Sequence, residues 1–241
     1  VMVSAHTSLC SWPISEYGTE EQKQKYLTKL ASGEWLGAFG LTEPGAGTDS
    51  AMQKTVAEDK GDHWLVNGSK IFITNASEAD IFVIFAMTDK SQGTKGISAF
   101  ILEKGTPGFT IGAHEKKMGI RGSATSELVF EDVKLPKENL LGELGKGFKV
   151  AMTTLDGGRI GIAAQALGIG EAAIAATVKY TQERVQFGKR ISQFQNTQFQ
   201  LADMQAKCDA AKLLIYRAAQ AKQDHEPFSH LAAEAKLFAS E

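Results

Sequence analysis

Cysteine is scarce. Cys10 and Cys208 are the two cysteines in 241 residues, far apart and in no CxxC or Cys/His cluster. That spacing argues against a disulfide framework or a zinc site and suits a reducing compartment. Histidine is thin as well: none of the five forms an HExxH or catalytic pair, and His225 and His230 read as solvated helix surface. Basic charge is not concentrated anywhere. A net charge of -2 without a long Lys/Arg block excludes a reader of the nucleic-acid backbone, whose affinity comes from clustered cations, but leaves room for a small anionic ligand. No apolar run of transmembrane length stands out. There is no signal-peptide pattern either, since Glu16, Glu20 and Glu21 come early, so a soluble protein is expected.

What is there is enough apolar material, 43% of the residues, to bury one large core or two modest ones. Residues 1–34 read as the end of a helical domain: Thr19 with Gln22 is a capping-box pair, and the helix that follows stops at Gly33. Residues 35–145 read as a β domain of short strands. "HWLV", Asn67-Gly68 and "KIFIT" predict a hairpin, and "DIFVIFAMTD", "GISAFILEKG" and "SELVFEDVKL" follow with Gly or Pro in each gap. Residues 146–241 turn to Ala, Gln, Lys and Leu, with Pro227 as the sole later proline. Ile174, Val178, Thr181 and Val185 fall on one helical face, and Leu201, Met204, Cys208, Ala211 and Ile215 on another, as in a long-helix bundle. The fold class is α+β in separate layers, with an incomplete C-terminal bundle. Both ends, Val1 and Glu241, are expected to be internal to a longer protein.

The stretch "LTEPGAGTDS", Leu41 to Ser50, joins two apolar segments with one proline and two glycines. It reads as a pair of turns, with Pro44 and Gly45 at the centre of a type II turn. It also reads as a ligand loop, because glycine lets a ligand approach main-chain N–H groups and Thr42, Thr48, Asp49 and Ser50 supply polar side chains. It is neither GxGxxG nor a P-loop.

Five stretches, "GLTEPGAGTD", "NGSKIFITN", "KMGIRGSATSELVFEDV", "LDGGRIGIAAQALGIG" and "RVQFGKRISQFQ", resemble the acyl-CoA dehydrogenases in order and spacing over nearly the whole chain. The resemblance implies a flavoprotein holding FAD and acting on an acyl-CoA. It places Phe39, Leu41, Thr42, Gly47 and Thr48 along the flavin, with Thr42 on the pyrimidine side and Thr48 facing the pyrophosphate and the CoA. Phe72, Ile73 and Thr74 lie against the ring system, Thr74 near N5. Arg184, Phe187 and Gln195 look like the element that reaches the FAD of a neighbouring subunit, a guanidinium suiting a diphosphate and a ring an adenine. Taken without the resemblance, "RVQFGKR" is a helix end with Gly188 as its left-handed cap. Asp156 and Arg159 fall at the substrate mouth by resemblance. By spacing alone they are an i,i+3 ion pair.

The implied reaction removes the α proton of an acyl thioester with a glutamate while the β hydrogen leaves as hydride, giving the trans-2-enoyl thioester. No residue of the chain is assigned as that base. Isovaleryl- and long-chain-type members carry it where Gly158 stands, and the others carry it late in the C-terminal domain, so it is expected beyond Glu241. "LDGGRIGIAAQALGIG" looks most like short-chain, butyryl-CoA-type members. The resemblance further implies a homotetramer and an electron-transfer flavoprotein as acceptor, in a bacterial cytoplasm or, if eukaryotic, the mitochondrial matrix. An acyl-CoA oxidase and a non-catalytic acyl-CoA- or FAD-binding protein are the competing readings; flavin bound to the purified protein counts against the second.

Overall fold

Thr19 and Gln22 form the reciprocal cap that their spacing predicts. In the computed structural model, which describes residues 1–241, Gln22 N–H donates to the Thr19 hydroxyl at 3.2 Å and Thr19 N–H to the Gln22 carboxamide at 3.1 Å. The Gln22 amide group also donates to Glu138 O and Leu140 O, at 2.7 and 2.9 Å, tying this helix to the β domain. The N-terminal stretch is helical almost throughout. α1 (Met2–Ser4) and α2 (Trp12–Tyr17) flank a π-helical segment, Ala5–Ser11, and α3 (Glu20–Gln22) and α4 (Thr28–Ser32) flank another, Lys23–Leu27, before Gly33 ends the run at φ 76°.

The chain divides into two units, Val1–Gly158 and Arg159–Glu241. The first contains one sheet ordered β6-β7-β3-β2-β4-β5-β8, with β1 pairing parallel to β4 off that path. Its strands are β1 (Gly37–Gly40), β2 (Val56–Asp59), β3 (His63–Thr74), β4 (Ile81–Met87), β5 (Ile97–Glu103), β6 (Phe109–His114), β7 (Thr125–Pro136) and β8 (Leu140–Leu141). β4 explains why its sequence is apolar without alternation: all seven residues are buried, one set on each face. Phe82, Ile84 and Ala86 join a core with Trp64, Phe100, Phe109, Leu128 and Phe130. Ile81, Val83, Phe85 and Met87 pack with Cys10, Ile14, Tyr26 and Leu30 of the helical stretch and with Val150 and Ala151. Cys10 is fully buried, so close to Gly37 that a Cβ there would lie 2.5 Å from its sulfur.

Asn67-Gly68 is not a hairpin turn. β3 runs straight through it, and the register against β7 slips between Val66 and Gly68. The two-residue hairpin turns need positive φ at their first central position, and Asn67 does not have it. Its side chain instead exchanges hydrogen bonds with Asp132 across the bulge, at 3.0 and 2.8 Å. Gly68, at φ 142°, is required because a Cβ would fall 2.7 Å from Thr55 Cα. The real β2–β3 turn lies at Lys60–Asp62, where Gly61 has φ 91° and Lys60 N–H bonds His63 O at 3.0 Å.

α5 (Gly147–Glu183) begins in the first unit and continues into the second. It is long and apolar enough, by length and composition, to cross a membrane, which corrects the expectation that the sequence holds no such run. The same composition serves a bundle helix. Within the second unit its Ala163, Ile160 and Leu167 pack with Ile215, Ala218 and Ala221 of α6 (Gln195–Gln223) and Leu231 and Ala235 of α7 (Ser229–Ser240). Ile169, Leu213, Tyr216 and Leu237 of these helices remain exposed. Val185 lies outside the helix and opens β9 (Val185–Gln186), which pairs with β10 (Lys189–Arg190).

Candidate functional site

The glycine-rich loop leaves β1 at Gly40. Glu43 N–H bonds Ala46 O at 3.2 Å and Ala46 N–H bonds Glu43 O at 3.1 Å, closing a turn around Pro44-Gly45. Gly45 does not have positive φ, so the turn is not the type II expected, although Pro44 keeps its place at the second position. Neither Gly45 nor Gly47 is needed for backbone strain, and a Cβ at either would meet nothing within 4 Å. Packing inside the chain therefore does not ask for glycine at these two positions, and what the residues leave is bare main chain facing open space.

Beneath the loop is a group the sequence reading missed. Lys70 on β3 is fully buried, and its ammonium donates to Leu41 O at 3.2 Å, Glu43 Oε1 at 2.7 Å and Gln53 Oε1 at 2.9 Å. Glu43, itself buried, also accepts from Lys54 N–H at 2.6 Å and Thr55 N–H at 3.1 Å. Burial pushes the Lys70 ammonium down to about 8 against the pull of the Glu43 carboxylate. Burial alone would raise the Glu43 carboxyl, but the Lys70 charge and the hydrogen bonds hold it below the ordinary carboxylate value. Both groups are thus charged near neutral pH, and removing one partner of such a pair costs about 3–5 kcal/mol. The legible signal was a lysine at an inward position: Trp64, Val66 and Lys70 share one parity and all are buried.

The loop is stitched to β3 one residue further on, where Ile71 N–H donates to Thr42 O at 2.8 Å. Phe72 follows at φ 60°, at the second register slip of β3, and is 59% exposed. A non-glycine residue held in that region inside a strand is strained. Thr42 and Thr74 are half-buried, Gly47 and Thr48 exposed. Leu41 and Ile73 put their side chains into the two cores, which leaves only their main chain outside them. Phe39 is half-buried on β1 with its ring 5.1 Å from that of Phe85. The first unit thus bonds the loop that carries Thr42, Gly47 and Thr48 to the strand that carries Phe72 and Thr74, and it also holds Asp156, half-buried on α5.

Arg159, exposed, and the remaining residues lie in the second unit. Gly188 is not a helix cap. With Phe187 at φ 53° and Gly188 at φ 76°, the pair forms the tip of the β9–β10 hairpin, the positive-φ geometry of a type I′ turn. Arg184 precedes the hairpin and its carbonyl accepts from Ile191 N–H at 2.9 Å, while Gln195 starts α6 just after it. Phe187 is 93% exposed at the tip, its ring 6.4 Å from that of Phe194.

Residues 1–34, 38–133 and 145–241 match the N-terminal, middle and C-terminal domains of acyl-CoA dehydrogenase. The chain belongs to the acyl-CoA dehydrogenase family. It is 60% identical over 240 residues to the short-chain-specific acyl-CoA dehydrogenase of Clostridium acetobutylicum, covering all of this chain and 63% of that protein. The solved butyryl-CoA dehydrogenase of Megasphaera elsdenii superposes with a TM-score of 0.96 at 60% identity, over 99% of this chain and 63% of that one. A chain from a structure of the electron transferring flavoprotein of Acidaminococcus fermentans, described as bearing on flavin-based electron bifurcation, gives 0.97 at 63% identity, over 99% and 63%. The chain therefore spans a little under two thirds of the length of these relatives. Membership in an acyl-CoA dehydrogenase family implies a flavin cofactor. The residues fit one: bare main chain at Gly45 and Gly47, hydroxyls at Thr42, Thr48 and Thr74, and the exposed ring of Phe72 lie on one loop and the strand bonded to it.

Proposed function

We propose that the full-length protein carries out FAD-dependent α,β-dehydrogenation of a short-chain acyl-CoA to the trans-2-enoyl-CoA. The observation that carries this reading is the hydrogen bond from Ile71 N–H to Thr42 O, which sets the glycine loop beside Phe72 and Thr74. Thr42 and Thr48 then offer hydroxyls, and the loop its main-chain N–H groups, to a heterocycle and a diphosphate. Phe72 covers an apolar ring face and excludes water from it. When bound, the flavin supplies the acceptor for the β hydrogen. Asp156 and Arg159 orient the acyl thioester at the mouth of the site. Arg184, Phe187 and Gln195 hold the FAD of a neighbouring subunit, in a homo-oligomer that passes electrons to an electron-transfer flavoprotein.

The α proton is taken by a glutamate of the full-length protein C-terminal to residue 241. Gly158 cannot serve, and a Cβ there would come within 2.8 Å of Leu9 Cδ2, so any side chain would have to displace Leu9. The 60% identity to a short-chain-specific relative supports the acyl length. The test mixes full-length protein anaerobically with butyryl-CoA and follows the oxidised flavin band. Butyryl-CoA should bleach it fastest and give the highest kcat/KM in dye reduction. A preference for palmitoyl- or isovaleryl-CoA would overturn the chain length, and bound flavin that no acyl-CoA bleaches would overturn the reaction.

A further inference from the structure

The Lys70 ammonium spends all three of its hydrogens, and every acceptor belongs to the glycine loop or closes it. Leu41 O and Glu43 Oε1 lie at the loop's entry. Gln53, the third acceptor, donates in turn to Ser50 O at 3.0 Å, at the loop's exit. One buried side chain thus grips both ends of Leu41–Ser50. Lys70 also immediately precedes Ile71, whose N–H holds Thr42 O at 2.8 Å, and Phe72, whose φ is 60°.

We propose that Lys70, paired with Glu43, is a positioning residue: it locks Thr42–Thr48 to Phe72–Thr74, so that the two segments meet the flavin as one rigid surface. The proposal rests on the flavin reading above. Burying an ion pair is a poor route to stability, because apolar residues of similar volume often replace one without loss. What an apolar pair lacks is direction. Three hydrogen bonds from one ammonium fix the angle and height of the loop over β3, which van der Waals packing leaves free to slide. The depressed basicity of Lys70 agrees with a dry site in which these bonds are strong.

The test compares full-length wild type with Lys70→Met/Glu43→Leu, which removes both charges together. The double variant should melt within a few degrees of wild type yet bind FAD about tenfold or more weakly, the scale of a lost buried hydrogen bond. The visible band of its bound flavin should also change shape. A double variant with wild-type melting, FAD Kd and flavin spectrum overturns the positioning role and leaves the flavin reading standing. A wild type that takes up no FAD overturns the flavin reading, and the positioning role with it. If the double variant shows no cooperative melt, Gln53→Leu decides: it removes one acceptor of Lys70 and the bond to Ser50 O at the loop's exit. A several-fold rise in FAD Kd supports the role, and an unchanged Kd overturns it.

Discussion

Phe72 combines two features that do not help a protein to fold: a strained φ of 60° and a ring left 59% exposed. A left-handed conformation costs a non-glycine residue about 1–2 kcal/mol, about as much as burial of the covered part of this ring returns. Phe130, on the neighbouring strand, is 2% exposed and lies in the core, where truncation to alanine costs about 3–5 kcal/mol. The two phenylalanines should therefore answer mutation in opposite ways. Phe72→Gly should leave the unfolding free energy from urea titration within about 1 kcal/mol of wild type, relief of strain balancing the added freedom of the unfolded chain. Its FAD affinity should fall. A large loss of stability with unchanged flavin titration would make Phe72 a packing residue.

The elements differ in how plainly they were written. The Thr19–Gln22 cap was legible because both partners lie within one helical turn, and β4 because a strand covered on both faces has no polar positions to hide it. Asn67-Gly68 misled because the cue for a turn is also the cue for a bulge, and the choice was made by Asp132, 65 residues away. The strand parity marked Lys70 as inward, but its partner Glu43 lies 27 positions away and nothing local announces the pair. Gly188 was read as a helix cap because left-handed backbone suits a cap and a type I′ turn alike. The loop residues Thr42 and Thr48 and the strand residues Phe72 and Thr74 were all named by motif. That their loop is hydrogen-bonded to their strand, from Ile71 N–H to Thr42 O, came from the geometry. The β9–β10 hairpin carries its own prediction. In the full-length protein, Arg184→Ala should lower flavin retained through gel filtration more than Asp156→Ala does, since a guanidinium pairs with a diphosphate directly. Equal retention in the two variants would remove the hairpin from the FAD site.

At the scale of the whole molecule, the second unit leaves Ile169, Leu213, Tyr216 and Leu237 uncovered, the kind of surface that a further segment or another copy of the chain covers. The first unit closes more completely over its own apolar side chains, and its one cysteine shows how completely. Burial pushes the Cys10 thiol up to about 12, so mild alkali does not make it a thiolate, and Gly37 presses against its sulfur. The other cysteine, Cys208, belongs to the second unit and is partly open. Each unit thus carries one sulfhydryl, and the pair works as two built-in stopwatches needing no added label. In residues 1–241 an aqueous disulfide reagent should mark Cys208 promptly and Cys10 only at the rate at which the first unit opens, a delay readable by mass spectrometry. Equal labelling rates would mean that the helices over β4 lift away without cost. A lag on Cys10 that shortens with urea would time the opening of that seam directly.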